Sequence, residues 1–173
     1  CYYKKDYPEW SDRGDGPGAP VAIHQPNSPV IATGKRDGSK IRLPNGNYLE
    51  ETASYFVMVE TATGGFTPAL ITMKSTQLNV SKKWNSMMKT TQFPDGKGGF
   101  ATPPMFGVVY NLASTLQKND KGSWYGWVVT MDRILGQEDK SLYLGAKDFG
   151  ANVSKGAVQT KSDVEEKSDS TPY

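Results

Sequence analysis

Two segments hold most of the side chains that could do chemistry. Lys74, Lys82, Lys83 and Lys89 lie in a stretch from Thr61 to Pro94 that contains no acid. Trp124, Tyr125 and Trp127 fall within four residues, just after Lys118 and Lys121. Ammonium groups neutralise phosphates, and ring faces stack on unpaired bases without regard to sequence, so cations beside exposed rings suit a single-strand binder. Phe106 and Tyr110, on the segment before, are candidate additional stacking rings. Each feature also has a plainer reading. Lysines solvate helix faces, and tryptophans cover sheet edges or partner surfaces.

Catalytic constellations are harder to assemble. His24 is the single histidine and Cys1 the single cysteine, which leaves too few ligands for a Cys/His zinc site and no internal disulfide. A hydrolytic triad would rest on His24 alone, with no partner visible in the sequence. The carboxylates are scattered: Glu50-Glu51 beside a strand, Asp132 after another, Glu138-Asp139 before a helix, where they complement its dipole. A metal-dependent nuclease needs converging acids. The expectation is a non-enzymatic protein with no metal and no cofactor. Gly34 to Lys40 is basic and glycine-rich but lacks the spacing of a phosphate-binding loop.

The chain's 173 residues suit one domain with tails. High Gly and Pro counts favour a β-rich, loop-rich body, and no apolar run approaches the ~20 residues of a membrane span. Residues 163–173 carry four acids and one lysine, a net −3, so the chain's +2 leaves +5 on residues 1–162. The start at Cys1 reads as a chain whose true beginning is missing, and Tyr2 to Asp6 does not read as a signal peptide.

The elements that must position the lysines and rings follow from periodicity. Residues 1–54 read as Gly/Pro-rich loops with short strands at Val30–Ala32 and Lys40–Leu43. Tyr55–Glu60 and Ala69–Lys74 read as a hairpin. Ser75 is placed to cap a helix with Val80, Trp84, Met87 and Met88 on one face, so Trp84 is a core anchor. Met105–Leu112 and Trp124–Met131 form a second strand pair around an Asn119–Gly122 turn. There Trp124, Gly126, Val128 and Thr130 share one face and Tyr125, Trp127, Val129 and Met131 the other. The second face is the better core candidate, which turns Trp124 outward beside the room that Gly126 leaves. A last helix starts at Asp139 or Ser141 and stops at Gly156. Residues 157–173 read as a disordered, mildly acidic tail.

Lys74-Ser-Thr-Gln-Leu78, Lys82-Lys-Trp-Asn85, Met105-Phe106, Tyr110, Asn119 to Trp127, and Leu142-Tyr143 through Phe149 together resemble a family of small bacteriophage proteins associated with single-stranded DNA binding in replication. The similarity covers roughly residues 55–155. It implies an oligonucleotide-binding (OB) barrel, a basic aromatic groove, and an acidic tail that contacts phage replication proteins in the cytoplasm of the infected host. The fold expected is mainly β with two helices, as an OB-like, partly open barrel, with residues 55–156 as its core. Single-stranded DNA is the expected partner, and self-association is compatible with the sequence. The alternatives are a virion structural or accessory protein, or a protein-interaction module.

Overall fold

The structure, a computed structural model, describes residues 1–12, 18–120 and 122–158. Lys121 and nearly all of the expected acidic tail lie outside the described residues. The hairpin expected around residue 65 is present. Strands β6 (Thr52–Glu60) and β7 (Phe66–Lys74) pair antiparallel from Thr52↔Lys74 to Glu60↔Phe66. Period-two alternation sends Ala53, Tyr55, Val57 and Met73 to one side, where all four are buried.

The centre of the sheet is a strand absent from the sequence reading. β1 (Tyr2–Trp10) pairs with β6 through Tyr2 to Asp6, and with β5 (Tyr48–Glu50) through Glu9 and Trp10. Pro8 falls between those two ladders and is instead opposite Ile23 of β2 (Ala22–His24), which pairs with Tyr7 to Glu9. β2 (Ala22–His24), β3 (Lys35–Asp37) and β4 (Lys40–Arg42) complete a seven-stranded sheet of order β3-β4-β5-β1-β6-β7, with β2 on β1. Lys40–Arg42 is thus a strand, as expected. Val30–Ala32 is not: it lies in a short helix, α1 (Pro29–Thr33), because Pro29 presets the first helical turn. The described residues therefore hold three α-helices where two were expected.

A single turn of 3-10 helix (Ser75–Gln77) leads from β7 into α2 (Leu78–Thr90), so Ser75 lies one turn before the cap position and its side chain caps nothing. Ser81, Trp84 and Met88 are the buried stripe of α2. Trp84 stacks on Tyr55 with ring centroids 4.2 Å apart, Tyr3 flanks Tyr55 at 5.0 Å, and Tyr110 meets Trp84 edge-on at 5.6 Å. The Tyr55 hydroxyl lies 2.7 Å from Ser81 Oγ, and burial pushes its pKa up to about 12. This aromatic column ties β1, β6, α2 and the next strand pair into one core.

After α2 come a small hairpin, β8 (Phe93–Pro94) with β9 (Phe100–Ala101), and the long hairpin of β10 (Val108–Asn119) and β11 (Gly122–Ile134). α3 (Lys140–Ser154) follows and ends where Gly156 takes a left-handed φ of 71°, as expected of that glycine. The fold is mainly β with antiparallel sheets, but the strands do not close a barrel: β10 and β11 pair with each other, and the large sheet ends at β3 and β7. No helix among the described residues is long and apolar enough to cross a membrane.

A second core, Tyr7, Ile41, Leu43 and Leu49, fills the N-terminal end of the sheet. Beside it the buried Glu9 carboxylate accepts from Asn47 Nδ2 at 2.6 Å and Asn45 Nδ2 at 3.1 Å, and lies 2.7 Å from His24 Nε2. Asn47, then His24, hold its pKa below the usual carboxylate range.

Two outcomes are expected. Trp84→Ala should destabilise by about 3–5 kcal/mol in denaturant titration, since it removes the middle of the aromatic column. The Glu9 contribution is complete above the unfolded pKa of about 4.3 and is lost as pH falls through the lower native value. Hydrogen exchange should therefore show β2 and β4–β5 opening in acid in the wild type. Glu9→Gln, which cannot titrate, should lose that acid dependence.

Candidate nucleic-acid interface

The long hairpin is an arm whose two faces do different work. Cross-strand partners share a face, so Leu112/Val129, Ser114/Trp127, Leu116/Tyr125 and Lys118/Ser123 line one side. Val129 and Tyr110 anchor this side in the aromatic core. Further out the same side meets solvent: Trp127 is 37 % exposed, Leu116 60 % and Tyr125 73 %. One extra residue in β11, Asp132, breaks the register between Val109 and Tyr110. Such a bulge strengthens twist and re-aims the strands beyond it. At the root, Asp139 accepts from the Gly136 amide at 3.0 Å and from Arg133 at 2.9 Å; these bonds hold its carboxyl below the usual range and brace the arm against the start of α3.

The other side of the arm is closed down. Gln117 stands opposite Trp124, and its side chain fills the space above the buried Gly126. The expectation that Trp124 looks outward over a vacancy at Gly126 is therefore reversed. Tyr125 is the open ring, and Trp124 is half-buried with its indole nitrogen sealed and unpartnered. The alternation of faces along β11 is the one expected from period two. The exposure differs because the arm runs past the body, leaving only the inner part of the apolar side with something to pack on.

Two other expected stacking rings are occupied. Tyr110 packs edge-on against Trp84 with its hydroxyl buried, and burial raises its pKa. Phe106 packs edge-on against Tyr143 of α3 at 5.2 Å.

Lys82, Lys83 and Lys89 are exposed on α2, as expected. The helix meets the arm through Gln77, whose Oε1 accepts the Trp127 amide at 3.1 Å, and through Thr91, whose hydroxyl lies 3.5 Å from Met131 Sδ. At 100° per residue, Lys82 and Lys89 sit roughly 160–180° around the axis from Thr91, and Lys83 about 80°. Lys83 is thus the helix lysine nearest the arm, while Lys82 and Lys89 form a separate flank. Lys74 lies 3.1 Å from Glu50 and about 6.0 Å from the centre of the Trp10 ring, so part of its charge is neutralised locally. Lys118 is exposed near the arm tip on the side that carries Tyr125.

Where the arm passes the 3-10 turn, a shallow groove of about 260 Å³ opens between Thr76, Asn119, Gly122, Ser123 and Trp124. The residue before Thr76, Ser75, adopts a φ of 51°, left-handed for a residue that is not glycine. Backbone held there costs about 1–3 kcal/mol and tends to persist at functional positions.

His24 also has partners that the sequence did not reveal. Ser28 Oγ lies 3.4 Å from Nδ1, opposite the Glu9 contact. The order Ser–His–Glu is that of a hydrolase triad, but the serine contact is long, and the second Glu9 oxygen is taken by Asn45 and Asn47 of the β4–β5 turn. The arrangement acts as a brace between strands. Among the described residues no cluster of His, Cys, Asp and Glu is placed to hold a metal ion.

Residues 1–159 match the family model described as "Pam3 phage gp34-like protein". Neither the curated proteins nor the solved structures contain a match to the chain.

The strain at Ser75 is testable. Ser75→Gly should leave stability unchanged or raise it by about 0.5–1 kcal/mol in denaturant titration, because glycine adopts this φ without a Cβ clash. A loss larger than that would show that the serine side chain, not its backbone, matters.

Proposed function

We propose a role from one premise: the chain belongs to the Pam3 phage gp34-like protein family and is a phage protein. That role is non-enzymatic binding of single-stranded DNA during phage replication or recombination, in the cytoplasm of the host. The observation that carries it is the open Tyr125 ring, on one side of the arm with Trp127 and beside Lys118. A ring with most of its surface in water contributes little to the fold, and each base stacked on such a ring is worth ~1–3 kcal/mol. Lys118 at the tip and Lys83 on the near side of α2 would meet phosphates, with Lys82 and Lys89 receiving strand that passes over the helix.

Chain order adds support. A meander of β1, β6 and β7, then a helix, then a hairpin, is the succession found in OB folds, whose last hairpin loop flanks the oligonucleotide. In this reading β2 to β5 are an insertion after the first strand. Closure of the barrel would need β10 or β11 to pair with the large sheet. The proposal rests on the arm and does not require that closure.

One observation favours a second reading. Leu112, Leu116 and Val128 are exposed on the arm as well, and aliphatic side chains contribute little to base stacking but much to a protein contact. The arm would then insert into a neighbouring subunit or a replication partner.

Titration of the full chain with labelled oligo-dT and with duplex of the same length separates the two. Single-strand binding should quench tryptophan fluorescence and weaken with salt, by roughly 0.7 counterion per phosphate neutralised. Tyr125→Ala should lower affinity ~5-fold or more while leaving the melting temperature unchanged, since the ring packs on little. No binding at low salt, together with an arm variant that alters oligomeric state or co-purification with particles, would favour the second reading.

A further inference from the structure

We propose that the groove at the arm tip, lined by Thr76, Asn119, Gly122, Ser123 and Trp124, takes a single unpaired nucleobase and reads its edge. The inference rests on the single-strand reading and goes beyond it, because stacking on Tyr125 alone is indifferent to base identity. The groove differs from the outer side of the arm in chemistry. Trp124 lines it with its nitrogen sealed from solvent, so the indole presents carbon surface there, suited to a flat π-face. Thr76 and Ser123 both line the groove, and a hydroxyl can act as donor or acceptor toward a base edge. Among the described residues that line the groove none is a carboxylate that would repel a nucleotide.

The walls are also fixed. The arm wall is held by the Trp127 amide on Gln77, and from behind by the Gln117 side chain over Gly126. The opposite wall starts from the left-handed Ser75, which directs the chain into the 3-10 turn that carries Thr76. At about 260 Å³ the groove falls just below the ~300–1,000 Å³ of ordinary small-molecule sites, which is room for one ring system. Fixed polar groups beside a stacking surface discriminate between ligands that differ at hydrogen-bonding edges, because a mismatched edge leaves them unpaired. Bases elsewhere along the arm would still be bound by stacking alone.

The test measures affinities of the full chain for dT15, dC15 and dA15 at one salt concentration. The wild type should show a spread of about fivefold or more among the three. Thr76→Val combined with Ser123→Ala should flatten that spread while keeping binding to the weakest of the three within about twofold. Equal affinities in the wild type, or a spread that the double variant leaves intact, overturn this proposal and leave single-strand binding standing. Failure to bind any of the three overturns both.

Discussion

The contact between the Tyr55 and Trp84 rings is the one on which the rest of the structure depends. Tyr55 belongs to the middle of the sheet and Trp84 to the middle of α2, and their near-parallel faces fix where the helix lies. Tyr3 extends the column into β1 and Tyr110 extends it into β10, so sheet, helix and arm share one apolar spine. The hydrogen bond between the Tyr55 hydroxyl and Ser81 sets the position of the helix along the sheet, which dispersion alone would leave loose. With α2 placed, Gln77 and Thr91 become the two points that the arm must touch.

Because the arm is anchored by its inner part, its outer part is free to serve a partner. Val129 and Tyr110 are spent on the core, whereas Leu116 and Tyr125 on the same side are cross-strand partners that stay largely exposed. The cations are dispersed in a way that matters for any polyanion. Lys74 is tied to Glu50, Lys82 and Lys89 occupy one flank of α2, and Lys83 and Lys118 lie nearer the rings. A bound strand would therefore meet rings and charges in sequence along its length, not in a single concentrated trough.

Sequence made the local alternations readable and hid the long-range ones. Residues 55–74 could be read because their apolar runs and the intervening glycines state a hairpin directly. Trp84 could be read as core because its helix buries one stripe. The central strand β1 was hidden by Lys4, Lys5, Asp6, Pro8 and Glu9: charged and prolyl residues weaken a strand signal, and only tertiary partners explain why they sit there. Its alternating Tyr3 and Tyr7 were the available clue. The exchange of roles between Trp124 and Tyr125 had no local signal at all, since it depends on how far the arm outreaches the body. Likewise Gly126 looked like a vacancy because nothing nearby in sequence announces that Gln117 covers it.

Near Pro8 the strand β1 exchanges β6, paired with Tyr2 to Asp6, for β2 and β5, paired with Tyr7 to Trp10, which gives the N-terminal segment a measure of independence. Everything from β2 to β5 hangs on the final residues of that strand and carries its own small core, so it behaves as a graft onto the aromatic spine. Such a graft can lengthen, shrink or be exchanged among descendants without disturbing the helix or the hairpin. Diversity within the lineage should accordingly gather on that side of the prolyl seam, leaving the spine as its shared inheritance.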